Sequence, residues 1–191
     1  MLSRRCCALF LCLAAAALGA TSDKAPRPSP DFAISLNDGS QIHLSQYRGK
    51  VTVVAFILTY CPHCQYTAEI LSRLQKEYGP RGFQVVASAI EDMASMVVPD
   101  FIKKFQPGYP VGFNQRPEVL EYLQHPVIYQ LMMPQVAVID RQGMIRAQFA
   151  GNDKFFDKPE QEKNFRALLE PLLKEGAAAE THRKTAGKKK T

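Results

Sequence analysis

Residues 51–64 read Val51-Thr52-Val53-Val54-Ala55-Phe56-Ile57-Leu58-Thr59-Tyr60-Cys61-Pro62-His63-Cys64, and the change of character along this run decides the fold. Val51 to Leu58 is an apolar run, the mark of a central strand covered on both faces. From Cys61 onward the apolar positions take helical spacing. Cys64, Ala68, Leu71, Leu74 and Tyr78 recur every three or four residues, Gln65, Glu69, Arg73, Lys76 and Glu77 face away, and Gly79-Pro80 ends the helix. A strand therefore delivers a Cys-x-x-Cys pair to the first turn of a helix. Unpaired N–H groups and a partial positive charge at that turn favour a thiolate, which makes Cys61 the expected nucleophile. Cys64, one turn on, is placed to attack a mixed disulfide formed at Cys61.

Upstream, Phe32, Ile34 and Leu36 alternate with polar or small residues, Asn37-Asp38-Gly39-Ser40 supplies turn chemistry, and Ile42 and Leu44 alternate again, which predicts a β-hairpin. Downstream, Phe83 to Ile90 reads as a second buried strand parallel to the first. A helix is expected from about Ser95 to Gln106, with Pro99 tolerable only in its first turn. Tyr109 to Phe113 suits a short strand and Pro117 to Leu123 a short helix with proline in its first turn. Val136 to Ile139 and Met144 to Phe149 flank the turn Asp140-Arg141-Gln142-Gly143 as an antiparallel hairpin. Phe165, Leu168, Leu169, Leu172 and Leu173 form one face of a C-terminal helix expected to stop at Gly176.

The 191 residues, 46% hydrophobic and 22% charged, suffice for one domain with terminal extensions. The net charge of +6 sits at the ends. Without Arg4, Arg5, Arg183, Lys184, Lys188, Lys189 and Lys190, residues 6–180 carry a net charge of −1, so the body does not read as a nucleic-acid binder. Residues 1–20 have the anatomy of a signal peptide: a basic head, an uncharged run from Cys6 to Leu18 too short to span a bilayer comfortably, then Gly19 and Ala20. Residues 21–30, rich in Pro, Ser and charge, suit a linker, residues 31–176 the domain, and residues 177–191 a disordered basic tail. The expected location is outside the cytoplasm, with the bacterial periplasm favoured. Membrane contact is not expected: only the signal or the basic tail offers a place for it, and the tail from Arg183 to Lys190 reads as a solvated end.

Three of the five cysteines, Cys6, Cys7 and Cys12, fall in the signal segment, leaving Cys61 and Cys64. A disulfide between them closes too short a loop to staple a fold, so its use is redox. A structural zinc site needs four ligands, and His43, His125 and His182 are scattered, so neither a metal nor another cofactor is expected.

The order of elements, with Cys-x-x-Cys after the first core strand and Pro134 just before the later hairpin, resembles the thioredoxin fold: an α/β domain whose central mixed sheet is flanked by helices. Pro30-Asp31-Phe32, the Asp38-Gly39 turn, Leu44-Ser45-Gln46-Tyr47-Arg48-Gly49-Lys50, Met133-Pro134 and Val138-Ile139-Asp140-Arg141-Gln142-Gly143 narrow the likeness. They resemble the TlpA/ResA-like branch of exported thiol-disulfide oxidoreductases, which adds an N-terminal β-hairpin. The resemblance implies a redox-active Cys61–Cys64 disulfide, a cis Pro134 whose loop with Met133 docks substrate, protein thiol or disulfide clients, and a partner that regenerates the site. Pro62-His63 matches the pair in the strongly oxidising DsbA-type proteins. An imidazolium at His63 together with the helix N-terminus stabilises the Cys61 thiolate and makes the disulfide a better oxidant.

The chain departs from that family in three places. Tyr60 replaces the usual Trp, Ala55 stands where thioredoxin has a buried carboxylate, and Thr67 stands where ResA-like proteins carry an acid. Proton transfer at Cys64 would then use water or another group, with Glu91 and Asp92 as candidates. The missing acids favour an oxidising role over a reductive, heme-maturation one. Two other readings stay open: a peroxiredoxin-like peroxidase on the same fold, and a copper-handling protein using the thiolates with Met132, Met133 and a histidine.

Overall fold

The structure, a computed structural model, describes residues 25–187, with side chains placed as far as Glu175. The expected signal peptide and residues 21–24 of the linker lie outside the described residues, as do residues 188–191. Among the described residues no helix is long and apolar enough to cross a membrane.

In chain order the elements are β1 (Arg27–Pro28), β2 (Ala33–Ser35), β3 (Gln41–His43), β4 (Val51–Ile57), α1 (Pro62–Tyr78), β5 (Phe83–Ala89), α2 (Ala94–Phe105), β6 (Val111–Phe113), α3 (Arg116–Tyr122), β7 (Gln135–Ile139), β8 (Met144–Phe149) and α4 (Gln161–Gly187). The strands form one mixed sheet ordered β1-β8-β7-β4-β5-β6-β2-β3. β4, β5 and β6 run parallel, β7 and β8 antiparallel beside β4, and the β2–β3 hairpin extends the far edge through β6.

Strand β4 is buried along its whole length because alternate residues serve two cores. Val51, Val53, Ala55 and Ile57 face α1, α2 and α4, meeting Cys64, Leu71, Leu74, Val98, Phe165 and Leu169. Val54 and Phe56 face α3 and the N-terminal hairpin, meeting Phe32, Ile34, Ile42, Val119 and Tyr122. Phe32, Phe56 and Tyr122 pack ring against ring, with centroids 4.9 to 5.6 Å apart. The expected inward set of α1 is buried, joined by Thr67 and Ile70.

Three sequence expectations need correction. Residues 25–30 are not a free linker: β1 pairs with β8, Ser29 is buried, and Arg27 donates to the Tyr122 carbonyl at 2.8 Å. Proline tolerates this position because an edge strand does not need every N–H. Pro99 lies inside α2 rather than in its first turn. Proline has no N–H to offer the Ser95 carbonyl, and that carbonyl accepts a hydrogen bond from Asn37 Nδ2 instead. Finally, α4 passes through Gly176 and continues to Gly187, so the segment expected to be disordered from Ala177 is helical that far. One interior glycine costs only about 1 kcal/mol, and the Ala177-Ala178-Ala179-Glu180 run after it consists of strong helix formers.

Candidate active site at the Cys61 to Cys64 turn

The parallel pairing of β4 with β5 ends at Ile57 opposite Ala89, and the antiparallel pairing with β7 begins at Phe56 opposite Gln135. One end of the sheet therefore gathers three chain passages: the Leu58-to-Cys64 turn, the Glu91 corner after β5, and Met133-Pro134 just before β7. This is the carboxyl end of the parallel strands, where open α/β sheets place their ligands.

Cys61 is the N-cap of α1 and Pro62 its first residue, which suits proline because the N–H it lacks would be unpaired there. Cys61 is partly exposed, whereas Cys64 is fully buried, and both are free thiols. The turn is held from behind. Cys61 N–H donates to the Leu58 carbonyl at 3.1 Å, and Gln65 Nε2 donates to the Thr59 carbonyl at 2.8 Å. Burial pushes the Cys64 thiol up, far above the ordinary thiol range. The Leu58 backbone opposes that shift, and Cys61 and the Glu91 charge add to it. The two sulfurs thus differ in kind: one reachable at a helix N-terminus, the other hidden and held protonated.

The His63 ring is exposed and has no hydrogen-bond partner among the described residues, while its carbonyl accepts from Thr67 Oγ1 at 2.9 Å. The sequence therefore brings His63 beside the thiols without a second group to fix its ring. The Met133–Pro134 peptide bond is cis. Met133 packs on the same core as Cys61, so the structure brings the two candidate segments to one place.

Several supporting residues escaped the sequence reading. Gln135 is buried and donates to the Met132 carbonyl at 2.5 Å. Gly151 lies against Met133 so closely that a Cβ there would sit 2.1 Å from the Met133 carbonyl oxygen. Gln161 of α4 donates to Thr67 Oγ1 at 2.7 Å, filling with a neutral pair the place where an acid was missing. A buried glutamine in an otherwise apolar strand or helix face is the signal that could have marked Gln135 and Gln161, since such a group needs a partner. Of the two acids considered for proton transfer, Asp92 is exposed, whereas Glu91 accepts hydrogen bonds from the backbone N–H of Thr59 at 2.8 Å and from Thr59 Oγ1.

Residues 22–169 match the Redoxin family. Among similar proteins, the chain is 22% identical to thiol-disulfide oxidoreductase ResA of Bacillus thuringiensis subsp. konkukian over 125 residues, which is 65% of this chain and 69% of that one. It is 25% identical to ResA of Geobacillus thermodenitrificans over 124 residues, 64% of this chain and 67% of that one. In fold it is similar to a thiol:disulfide interchange protein of the thioredoxin family from Chlorobium tepidum TLS, with a TM-score of 0.64 and 24% identity over 80% of this chain and 99% of that one.

Proposed function

The chain belongs to the Redoxin family and is a thioredoxin-fold thiol-disulfide oxidoreductase of the ResA/TlpA type, and from that premise we propose that it works outside the cytoplasm by exchanging a Cys61–Cys64 disulfide with protein clients. Cys61 makes and breaks the bond to the client, Cys64 resolves the mixed disulfide, and the Met133-Pro134 loop docks the client chain. Residues 1–20 direct export, with the bacterial periplasm favoured, and residues 31–176 carry the activity. A separate redox partner returns the site to its working state.

The observation that carries this reading is the asymmetry of the two sulfurs, with Cys61 accessible at the N-terminus of α1 and Cys64 buried one turn behind it. An attacking thiol must be reachable and ionised, whereas a resolving thiol acts only inside the molecule. The direction of electron flow leans towards oxidation of clients. His63 stands between the two cysteines in the first turn of α1, and Ala55 and Thr67 replace the acids of the reductive relatives. The Cys61–Cys64 reduction potential tests that direction: a value near about −120 mV supports it, and one near about −270 mV marks a reductase.

The division of labour is tested by trapping. Cys64→Ser should accumulate mixed disulfides between Cys61 and client proteins, and Cys61→Ser should accumulate none. Equal trapping by the two variants removes the assigned roles.

A further inference from the structure

Glu91 presents an unusual arrangement for a carboxylate at the edge of an active site. One oxygen accepts two hydrogen bonds from Thr59, two residues before Cys61. The other oxygen is buried and has no hydrogen-bond partner among the described residues. An unpaired buried carboxylate oxygen is costly and calls for an explanation. Sheet register explains how it arrives there: Ala89 lies opposite Ile57, and two residues further along each chain Glu91 meets Thr59.

We propose that Glu91 is the group that takes the proton from Cys64 and returns it, acting from the end of β5 in place of the acids missing at Ala55 and Thr67. This rests on the dithiol exchange proposed above. Cys64 is fully buried, so near neutral pH its proton reaches bulk water only slowly without a neighbouring acceptor. Cys64 sits against the Leu58 backbone and Glu91 is hydrogen-bonded to Thr59, the next residue, so one turn holds the two groups on neighbouring positions; burial chiefly, and the Glu91 charge in the same sense, hold the thiol up. A proton passing from Cys64 to the partly buried Glu91 keeps a single negative charge at the turn, whereas a Cys64 thiolate beside the Glu91 carboxylate would place two together.

The other titratable groups around Cys64 do not offer this. Cys61 is itself the bonded sulfur in the mixed disulfide, and His63 and Asp92 are exposed. Tyr109 is occupied in donating to the Ala68 carbonyl at 3.3 Å, and burial pushes its phenol far up. From α2 and α4 the buried residues on this side are Ala94, Val98 and Phe101, and Gln161, Phe165 and Leu169, none of them charged.

In the mixed disulfide of Cys61 with a client, the Cys64 S–H proton moves to the Glu91 carboxylate and the Cys64 thiolate attacks Cys61 Sγ. The Cys61–Cys64 bond forms, the Cys61–client bond breaks, and the client sulfur leaves with the electron pair as a thiolate that takes a proton from water. The protein dithiol is oxidised and the client disulfide reduced. In the opposite direction a client thiolate attacks Cys61, and Cys64 leaves and collects its proton from the Glu91 carboxylic acid.

Glu91→Gln separates chemistry from scaffolding, because a Gln carbonyl still accepts from Thr59 while its side chain cannot take the proton. The reduced full chain is mixed with oxidised glutathione, and formation and resolution of the Cys61–glutathione mixed disulfide are followed separately from pH 5 to 9. Glu91→Gln should leave formation unchanged and slow resolution about 100-fold near neutral pH, the gap closing as pH rises and Cys64 ionises unaided. Glu91→Asp, which keeps the carboxylate, should recover part of the rate and the wild-type pH profile. Resolution by Glu91→Gln at the wild-type rate, or slowed equally at every pH, overturns the assignment while leaving dithiol exchange standing. Failure of the wild-type protein to form the mixed disulfide at all removes both.

Discussion

At the Val51 end of β4 the turns are pinned to one another by two arginines. Arg141 donates to the Gly49 and Arg81 carbonyls at 2.8 and 2.9 Å, and Arg48 donates to the Gln142 carbonyl at 2.8 Å. Gly143 has φ +83°, and a Cβ there would fall 0.9 Å from Arg48 Nη1, so the arginine occupies the space a side chain would take. At the Ile57 end, 69% of Tyr60 is exposed, Val127 and Ile128 in the loop before Pro134 are each 81% exposed, and one Glu91 oxygen is buried without a partner. The same strand joins an end cross-linked by arginine hydrogen bonds, although Arg141 Nε is itself buried without a partner, to an end that holds the reactive groups. Stability is concentrated at the first end and chemistry at the second, and substitutions at the two ends should separate these properties.

The largest effect on stability is expected from Arg141→Ala, which removes charged donors from the carbonyls of three separate segments, the third being Leu173 at 3.5 Å. A loss of about 2–3 kcal/mol is expected in urea unfolding. The Cys61–Cys64 potential should move by well under the ~30 mV that a tenfold change in the couple represents. A potential that moves together with stability would erase the division between the ends.

Gly151→Ala probes the reactive end. Its added methyl would overlap the Met133 backbone, so the Met133-Pro134 segment must shift. Overpacking of this kind costs about 1–3 kcal/mol. If that segment docks clients, exchange with a protein disulfide should slow several-fold more than exchange with glutathione, measured on the same preparation. Equal slowing with both substrates would confine the effect to the thiols and leave docking to another surface.

The same contrast governs what the sequence could disclose. Val51 to Leu58 announces a strand buried on both faces, and Cys61 with Cys64 announces the redox site, because burial pattern and thiol chemistry are local properties of the run. Pro134 became legible only through family resemblance, since nothing in Met133-Pro134 itself states that β7 will start opposite Phe56. Glu91 stood in the sequence as one of two adjacent acids. Only the β4–β5 register distinguishes it from Asp92, by bringing Glu91 level with Thr59. Gly151 and Gln161 act across the fold, on Met133 and Thr67, through contacts that no local period encodes. Pro99 and Gly176 misled for a related reason: one is compensated by Asn37 from a distant turn, and the other is outweighed by the alanines that follow it.

The smallest expected effect concerns acid stability and belongs to the pinned end. Arg81, whose carbonyl accepts from Arg141, sends its guanidinium to α4, where both Glu170 oxygens accept from it at 3.0 Å. Hydrogen bonds from Arg81 and then Tyr78 hold Glu170 down at about 2. A carboxylate whose folded value lies below its unfolded value of about 4.3 contributes stability that is present above that value and is lost as pH falls towards about 2. Glu162, held below the usual carboxylate range by Arg73 and Arg166, adds in the same sense. Because these side chains remain partly exposed to solvent, screening keeps the contribution small. Arg81→Ala should therefore lower Tm slightly at pH 6 and flatten part of the decline in Tm between pH 5 and 2, more so at low salt, without changing exchange at Cys61. An acid limb identical in the variant and the parent would mean that the pair is solvated in both states and that the pinning of this end rests on Arg141 and Arg48 alone.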